Sequence, residues 1–182
     1  MRDAVPRDPS ASYAHAAAAP LVTDVERAVV SAQLGRPARG RSSVVHRCRF
    51  GLPTTVRVGP HLDDGTPFPT VFWLTCPVAR HDVGVLEASG AMVGVNARLD
   101  DEPTFAEEYA AGHVRYVRFR DALGEPLAGD PGAGGMPAHV KCLHTHLAHH
   151  LATGDNPVGA WTFDRLAPFE CPTPCVAPPD EP

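Results

Sequence analysis

Three short β-type runs stand together in the middle of the chain, at residues 43–49, 54–58 and 70–75, with helical patterns before and after them. This grouping constrains the fold more than any other feature. Val and Thr enrich the first two runs, and the third carries Val71-Phe72-Trp73-Leu74. Phe50-Gly51-Leu52-Pro53 joins the first two as a four-residue hairpin connection, and Asp63-Asp64-Gly65-Thr66-Pro67 turns the chain ahead of the third. The expectation is an α+β fold, a small three-stranded antiparallel sheet packed against about four to five helices.

The flanking helices declare themselves by their ends. Thr23-Asp24-Val25-Glu26 has the form of a capping box and Gly35 supplies a stop, so a helix is expected over 23–34. After Pro77 a helix runs to Gly90, and a shorter one covers 93–99. Thr104-Phe105-Ala106-Glu107 reads as a second capping box opening a helix to about Asp121, in which Phe105, Tyr109, Tyr116 and Val117 fall near one face. Arg115, Arg118 and Arg120 lie in its last turns, where cations suit the helix dipole, and take a structural reading. Residues 124–135 form a loop rich in glycine and proline, after which Pro137 is expected to start a final helix ending at Gly154.

With 182 residues, 43% hydrophobic and 20% charged, the chain suits one domain with one core. Residues 1–20 mix charges, prolines and a short alanine run, without the apolar stretch of a signal peptide or a membrane span. They are expected as a disordered leader on a cytoplasmic protein, residues 21–167 as the domain, and residues 168–182, with Cys171-Pro172-Thr173-Pro174-Cys175, as a disordered proline-rich tail.

Charge is unevenly placed. Residues 28–62 hold Arg36, Arg39, Arg41, Arg47, Arg49 and Arg57 without any Asp or Glu, so this stretch carries about +6 and leaves about −11 elsewhere, from a net −5. Arginines can grip phosphate or carboxylate bidentately. The acidic whole and the scarcity of aromatics in the basic stretch argue against nucleic acid. The chain uses fifteen Arg, one Lys, no Ile and two Asn, the mark of GC-rich codons. Residues that resist this bias, Lys141 and Asn156, draw attention to the C-terminal segment.

That segment carries the candidate chemistry. At about 100° per residue, with Val140 as zero, Leu143, Leu147 and Leu151 fall within about 60° and define a core stripe, with His144 on its edge near 40°. Cys142, His146 and His149 cluster on the far side at about 180–240°. Five cysteines without an export signal point to thiols that pack, react or bind metal rather than to a disulfide framework. One reading is a Zn²⁺ site from Cys48, Cys76, Cys142 and His149, the strand-end cysteines joining the helix. Another takes Cys142 as a thiolate activated by Lys141, the helix start and a histidine. Plain packing of the cysteines and solvation of the histidines is the bland alternative to both. Phosphate-loop and dinucleotide fingerprints are absent, and Gly132-Ala133-Gly134-Gly135 is left as a loop able to offer N–H groups to an anion.

Read in order, Leu34-Gly35-Arg36-Pro37-Ala38-Arg39-Gly40, the stretch Gly65-Thr66-Pro67-Phe68-Pro69-Thr70 through Cys76-Pro77, Leu86-Glu87-Ala88-Ser89-Gly90-Ala91-Met92, and Gly134-Gly135-Met136-Pro137 through Lys141-Cys142-Leu143-His144 resemble the actinobacterial domain-of-unknown-function family 501, over about residues 33–160. The resemblance implies an actinobacterial source, and a gene often near those for enolase, a septum-formation initiator and an exopolyphosphatase. It singles out Lys141, Cys142, His144 and His149, with Asn156 and Pro157 after them. The sequence departs from the family pattern at Arg49-Phe50, where a proline is expected after Cys48, and at Ala160-Trp161, where acids are expected.

Three functions are thereby framed: a metal- or anion-binding domain with a binding or regulatory role; an enzyme on a phosphate-containing or acyl substrate, with Arg36, Arg39 and Lys141 holding the anion and Cys142 or His144 reacting; and a module for a protein partner in cell division or the envelope.

Overall fold

The computed structural model describes residues 8–129, 131–166 and 171–177. Its order is α1 (Pro9–Ala18), α2 (Asp24–Leu34), β1 (Ser42–Arg47), β2 (Pro53–Val58), β3 (Phe72–Leu74), α3 (Pro77–Ala88), α4 (Ala91–Asp101), α5 (Pro103–Ala122), α6 (Leu143–Thr153) and α7 (Pro157–Arg165). The α+β class is as expected. The sheet is antiparallel in the order β1-β2-β3, with Val44 opposite Val56 and Val56 opposite Trp73.

Capping sets the start of α2: the Thr23 hydroxyl accepts the Glu26 N–H while the Glu26 carboxylate accepts the Thr23 N–H, and Gly35 closes the helix at φ 69°. The second box fails. α5 begins at Pro103 after Glu102, so Thr104 is already inside the first turn and its hydroxyl caps nothing.

α6 is the centre of the molecule. It touches β3, α1, α3 and α7, and Leu143, His146, Leu147, Ala148, His149, Leu151, Ala152 and Thr153 are all buried. His144, Thr145 and His150 keep partial exposure, but His146 and His149 are buried, which overturns the expected division into a core stripe and an opposite histidine side. α6 also starts later than expected. Pro137 lies in a turn-rich loop, closed by the Lys141 N–H to Gly134 carbonyl bond (2.7 Å) and the His139 N–H to Gly135 carbonyl bond (3.1 Å), and Cys142 is the N-cap at φ −154°. Gly135 has to be glycine here: at φ +102° an added Cβ would lie 2.2 Å from the His139 carbonyl oxygen.

Two further elements differ from expectation. Residues 9–18, assigned to a disordered leader, form α1 and send Tyr13 into the core, 5.1 Å from the Phe119 ring and within hydrogen-bond reach of His149. α7, beyond the expected final helix, is capped by Asn156, whose Oδ1 accepts the Gly159 N–H at 2.7 Å. Residues 1–7 of the expected leader and 167–170 and 178–182 at the chain's end lie outside the described residues.

Candidate metal centre

Cys142 and His144 open α6, and α3 brings Glu87 to meet them. The Leu143 N–H, one of the unpaired donors of the helix start, gives a 2.6 Å hydrogen bond to Glu87 Oε1, which fixes the carboxylate. Glu87 Oε2 then stands 3.3 Å from His144 Nδ1. The other ring nitrogen, Nε2, lies 3.0 Å from the Arg80 carbonyl, so it carries the proton and donates. Ligand atoms of Glu87, Cys142 and His144 all lie within 4.8 Å of one another. The residues are half-buried, leaving an approach from solvent.

Cys142 and His144 shift in opposite directions. Burial pushes the Cys142 thiol up, but His144, the Thr145 N–H and the Thr145 hydroxyl outweigh it and hold the pKa below the usual thiol range. His144 is raised to about 9, first by its hydrogen bond with Cys142 and then, against a desolvation cost, by the Glu87 carboxylate and the Arg80 carbonyl.

His149 belongs elsewhere, and so does His146. Asn156 Nδ2 donates to Nδ1 of both, at 2.9 and 3.2 Å, leaving each Nε2 protonated. His149 Nε2 meets the Tyr13 hydroxyl at 2.5 Å, and His146 Nε2 meets the Gly134 carbonyl at 3.1 Å and the Tyr109 hydroxyl at 3.2 Å. Burial lowers His146 to about 4 and His149 well below its ordinary value, so both are neutral core groups at neutral pH. Asp155, in a bidentate ion pair with Arg115 at 2.5 Å, raises the Tyr13 pKa further beyond the effect of burial.

The expected ligand set of Cys48, Cys76, Cys142 and His149 is therefore not assembled: His149 has both nitrogens engaged in the core, and among the described residues the group of three with ligand spacing is Glu87, Cys142 and His144. Lys141 is exposed beside Cys142. Arg36 and Arg39 line a separate cavity of about 250 Å³ with Leu34, Ser42, Phe68 and Trp73, which Lys141 does not reach. Sequence reading missed Glu87, which lies 56 positions before Leu143. Its one signal was its place in the stretch 86–92.

The donor set suits Zn²⁺. A thiolate, an imidazole and a carboxylate are three of its ordinary ligands, and the Nε2–H bond to a backbone carbonyl is the usual outer support of a ligating histidine. Cys142 Sγ, His144 Nδ1 and a Glu87 oxygen would hold the ion, leaving a fourth position open.

No helix among the described residues is long and apolar enough to cross a membrane. Searches of the curated proteins and of the solved structures give no match. A family model described as "Protein of unknown function (DUF501)" matches residues 44–164, which takes in all but the first two residues of the sheet, both halves of the Glu87–Cys142–His144 cluster and the Asn156 cap, and the chain belongs to that family.

Proposed function

We propose that this is a Zn²⁺-binding domain of a reducing compartment, with Glu87, Cys142 and His144 as ligands and the open position available to an anionic ligand in a binding or regulatory role. The observation that carries it is the convergence of three unlike ligand atoms within 4.8 Å, with His144 held by the Arg80 carbonyl. The test is metal analysis of protein purified with Zn²⁺ present, alongside Cys142→Ser and His144→Gln. The variants are expected to lose one equivalent; unchanged content in both sinks the proposal.

A second reading rests on the hydrogen-bonded Cys142–His144 pair, in which the thiol pKa is held below its usual range and the imidazole is raised to about 9, a pairing suited to nucleophilic attack on an acyl or phosphoryl group. Arg36 and Arg39 do not serve it, since they line the other cavity, and Lys141 is the cation beside the thiol. Labelling by iodoacetamide separates the two. A metal ligand is protected by Zn²⁺ and exposed by chelation, whereas a free nucleophile labels at the same rate with or without the ion.

A further inference from the structure

Four of the five cysteines gather away from α6, at the corner where β1 turns into β2. The Cys48 N–H bonds the Leu52 carbonyl at 2.9 Å and its carbonyl accepts the Gly51 N–H at 2.9 Å, which holds the residue at the hairpin turn. Cys76, buried, caps the start of α3, and its N–H points at the Thr54 carbonyl, 3.5 Å away, on the adjoining strand. The segment 171–177 returns to the same corner. The Arg49 guanidinium donates to the Cys171 carbonyl, and Gln33 Nε2 donates both to Cys175 Sγ (3.6 Å) and to the Pro53 carbonyl (2.9 Å). That carbonyl also accepts from the Thr75 hydroxyl at 3.2 Å, so the Cys175 sulfur lies beside the start of β2, where the chain next to Cys76 also arrives.

The thiols sense one another. Cys76 is raised by burial first, against the Ala79 and Val78 N–H groups, and then by Cys171 and Cys175; Cys171 is raised by burial and by Cys175 and Cys48. All four are free thiols. What fastens the returning segment is otherwise slight. Residues 172–175 are exposed and bury no apolar side chain against the domain, so a few hydrogen bonds are set against the entropy of ordering the chain. A cation shared by four sulfurs, each giving up its proton as the ion binds, supplies the missing attraction. Cys171-Pro172-Thr173-Pro174-Cys175 presents two sulfurs on a segment stiffened by two prolines.

We propose that Cys48, Cys76, Cys171 and Cys175 form a second, four-thiolate Zn²⁺ site that clamps the C-terminal segment to the β1–β2 corner. No three of these sulfurs are within the 4.8 Å spacing found at Glu87, Cys142 and His144, so the exposed segment with Cys175 moves inward as the ion binds, to sulfur distances of about 2.3 Å from the metal. The closed set of four protein ligands is the structural type of zinc centre, in contrast to the open one at α6.

Metal stoichiometry and Co²⁺ spectra of the full chain test this independently of the other site. Wild type is expected to bind two equivalents of Zn²⁺. Cys171→Ser with Cys175→Ser is expected to lose one, together with the intense visible Co²⁺ absorption of tetrahedral thiolate coordination. Cys142→Ser retains that absorption whether or not the α6 centre binds metal, so failure of one site does not mimic failure of the other. Cys175→Ser alone, at an exposed position, gives a variant that folds and is expected to weaken Zn²⁺ retention against a chelator at least tenfold. Unchanged metal content and Co²⁺ spectrum in the double variant overturn the proposal, as does a mass two hydrogens below the fully reduced chain that peptide mapping assigns to a disulfide among these four cysteines.

Discussion

His144 decides how the α6 centre behaves, because its proton occupies the place a metal would take. With a pKa near 9 the ring is an imidazolium at neutral pH, so Zn²⁺ binding has to expel that proton. Titration calorimetry at pH 7 in buffers of different ionisation enthalpy is expected to show at least one proton released per Zn²⁺ bound, with affinity weakening as pH falls. The affinity loss approaches tenfold per pH unit for each proton displaced. A pH-independent affinity would rule the ring out as a ligand. The identities of Cys142 and His144 were readable from the sequence, but their geometry was not. Helical spacing puts Cys142 on the wheel, whereas it is the N-cap, whose extended backbone turns its side chain out of it. Glu87 could not be found from spacing, since what carries it to Cys142 is the packing of α3 on α6.

At the scale of elements, α6 and α7 are locked by a contact that allows no side chain between them: a Cβ on Gly159 would lie 2.1 Å from the His146 carbonyl oxygen. Asn156 sits at the head of this joint. It caps α7 and satisfies two buried imidazoles with the same amide, so Asn156→Ala removes a cap and leaves the Nδ1 of His146 and of His149 each without its donor. The expected cost is about 2–3 kcal/mol, read as a fall in the urea midpoint with the slope unchanged. A loss below about 0.5 kcal/mol would show that the amide bonds are not holding the joint. Most elements were legible because Gly35, Pro77 and Gly154 punctuate the chain at real boundaries. α7 was not, since its nine residues follow directly on α6 and its apolar residues are too few for a clear period.

For the whole molecule, the apolar core holds a polar network of His146, His149 and Asn156 among aromatic rings, and acid is expected to destabilise it. His146 titrates near 4 in the folded state against about 6.5 unfolded, and His149 is depressed in the same direction. A depressed folded pKa gives stability that is complete above the unfolded value and is lost as pH falls through the folded one. The His146 share is about 3 kcal/mol at neutral pH and drains away between pH 6.5 and 4. Thermal melts are expected to drop steeply across that window, and His146→Gln is expected to flatten the slope whatever its effect at pH 7. An equally steep slope in the variant would place the acid sensitivity elsewhere. The sequence could not reveal this core, because histidine on a helix reads as polar unless the opposing faces are known. Here those faces come from Tyr13, Phe72, Tyr109 and Tyr116, four positions spread over more than half the chain.

The hydrogen bond between Tyr13 and His149 spans 136 residues. On the ribosome, Tyr13 is made before Phe119 and His149, the groups that hold it, so residues 9–18 have nowhere to dock until α6 has been translated. α1 therefore docks late, and until it does its residues are open to chaperones and proteases.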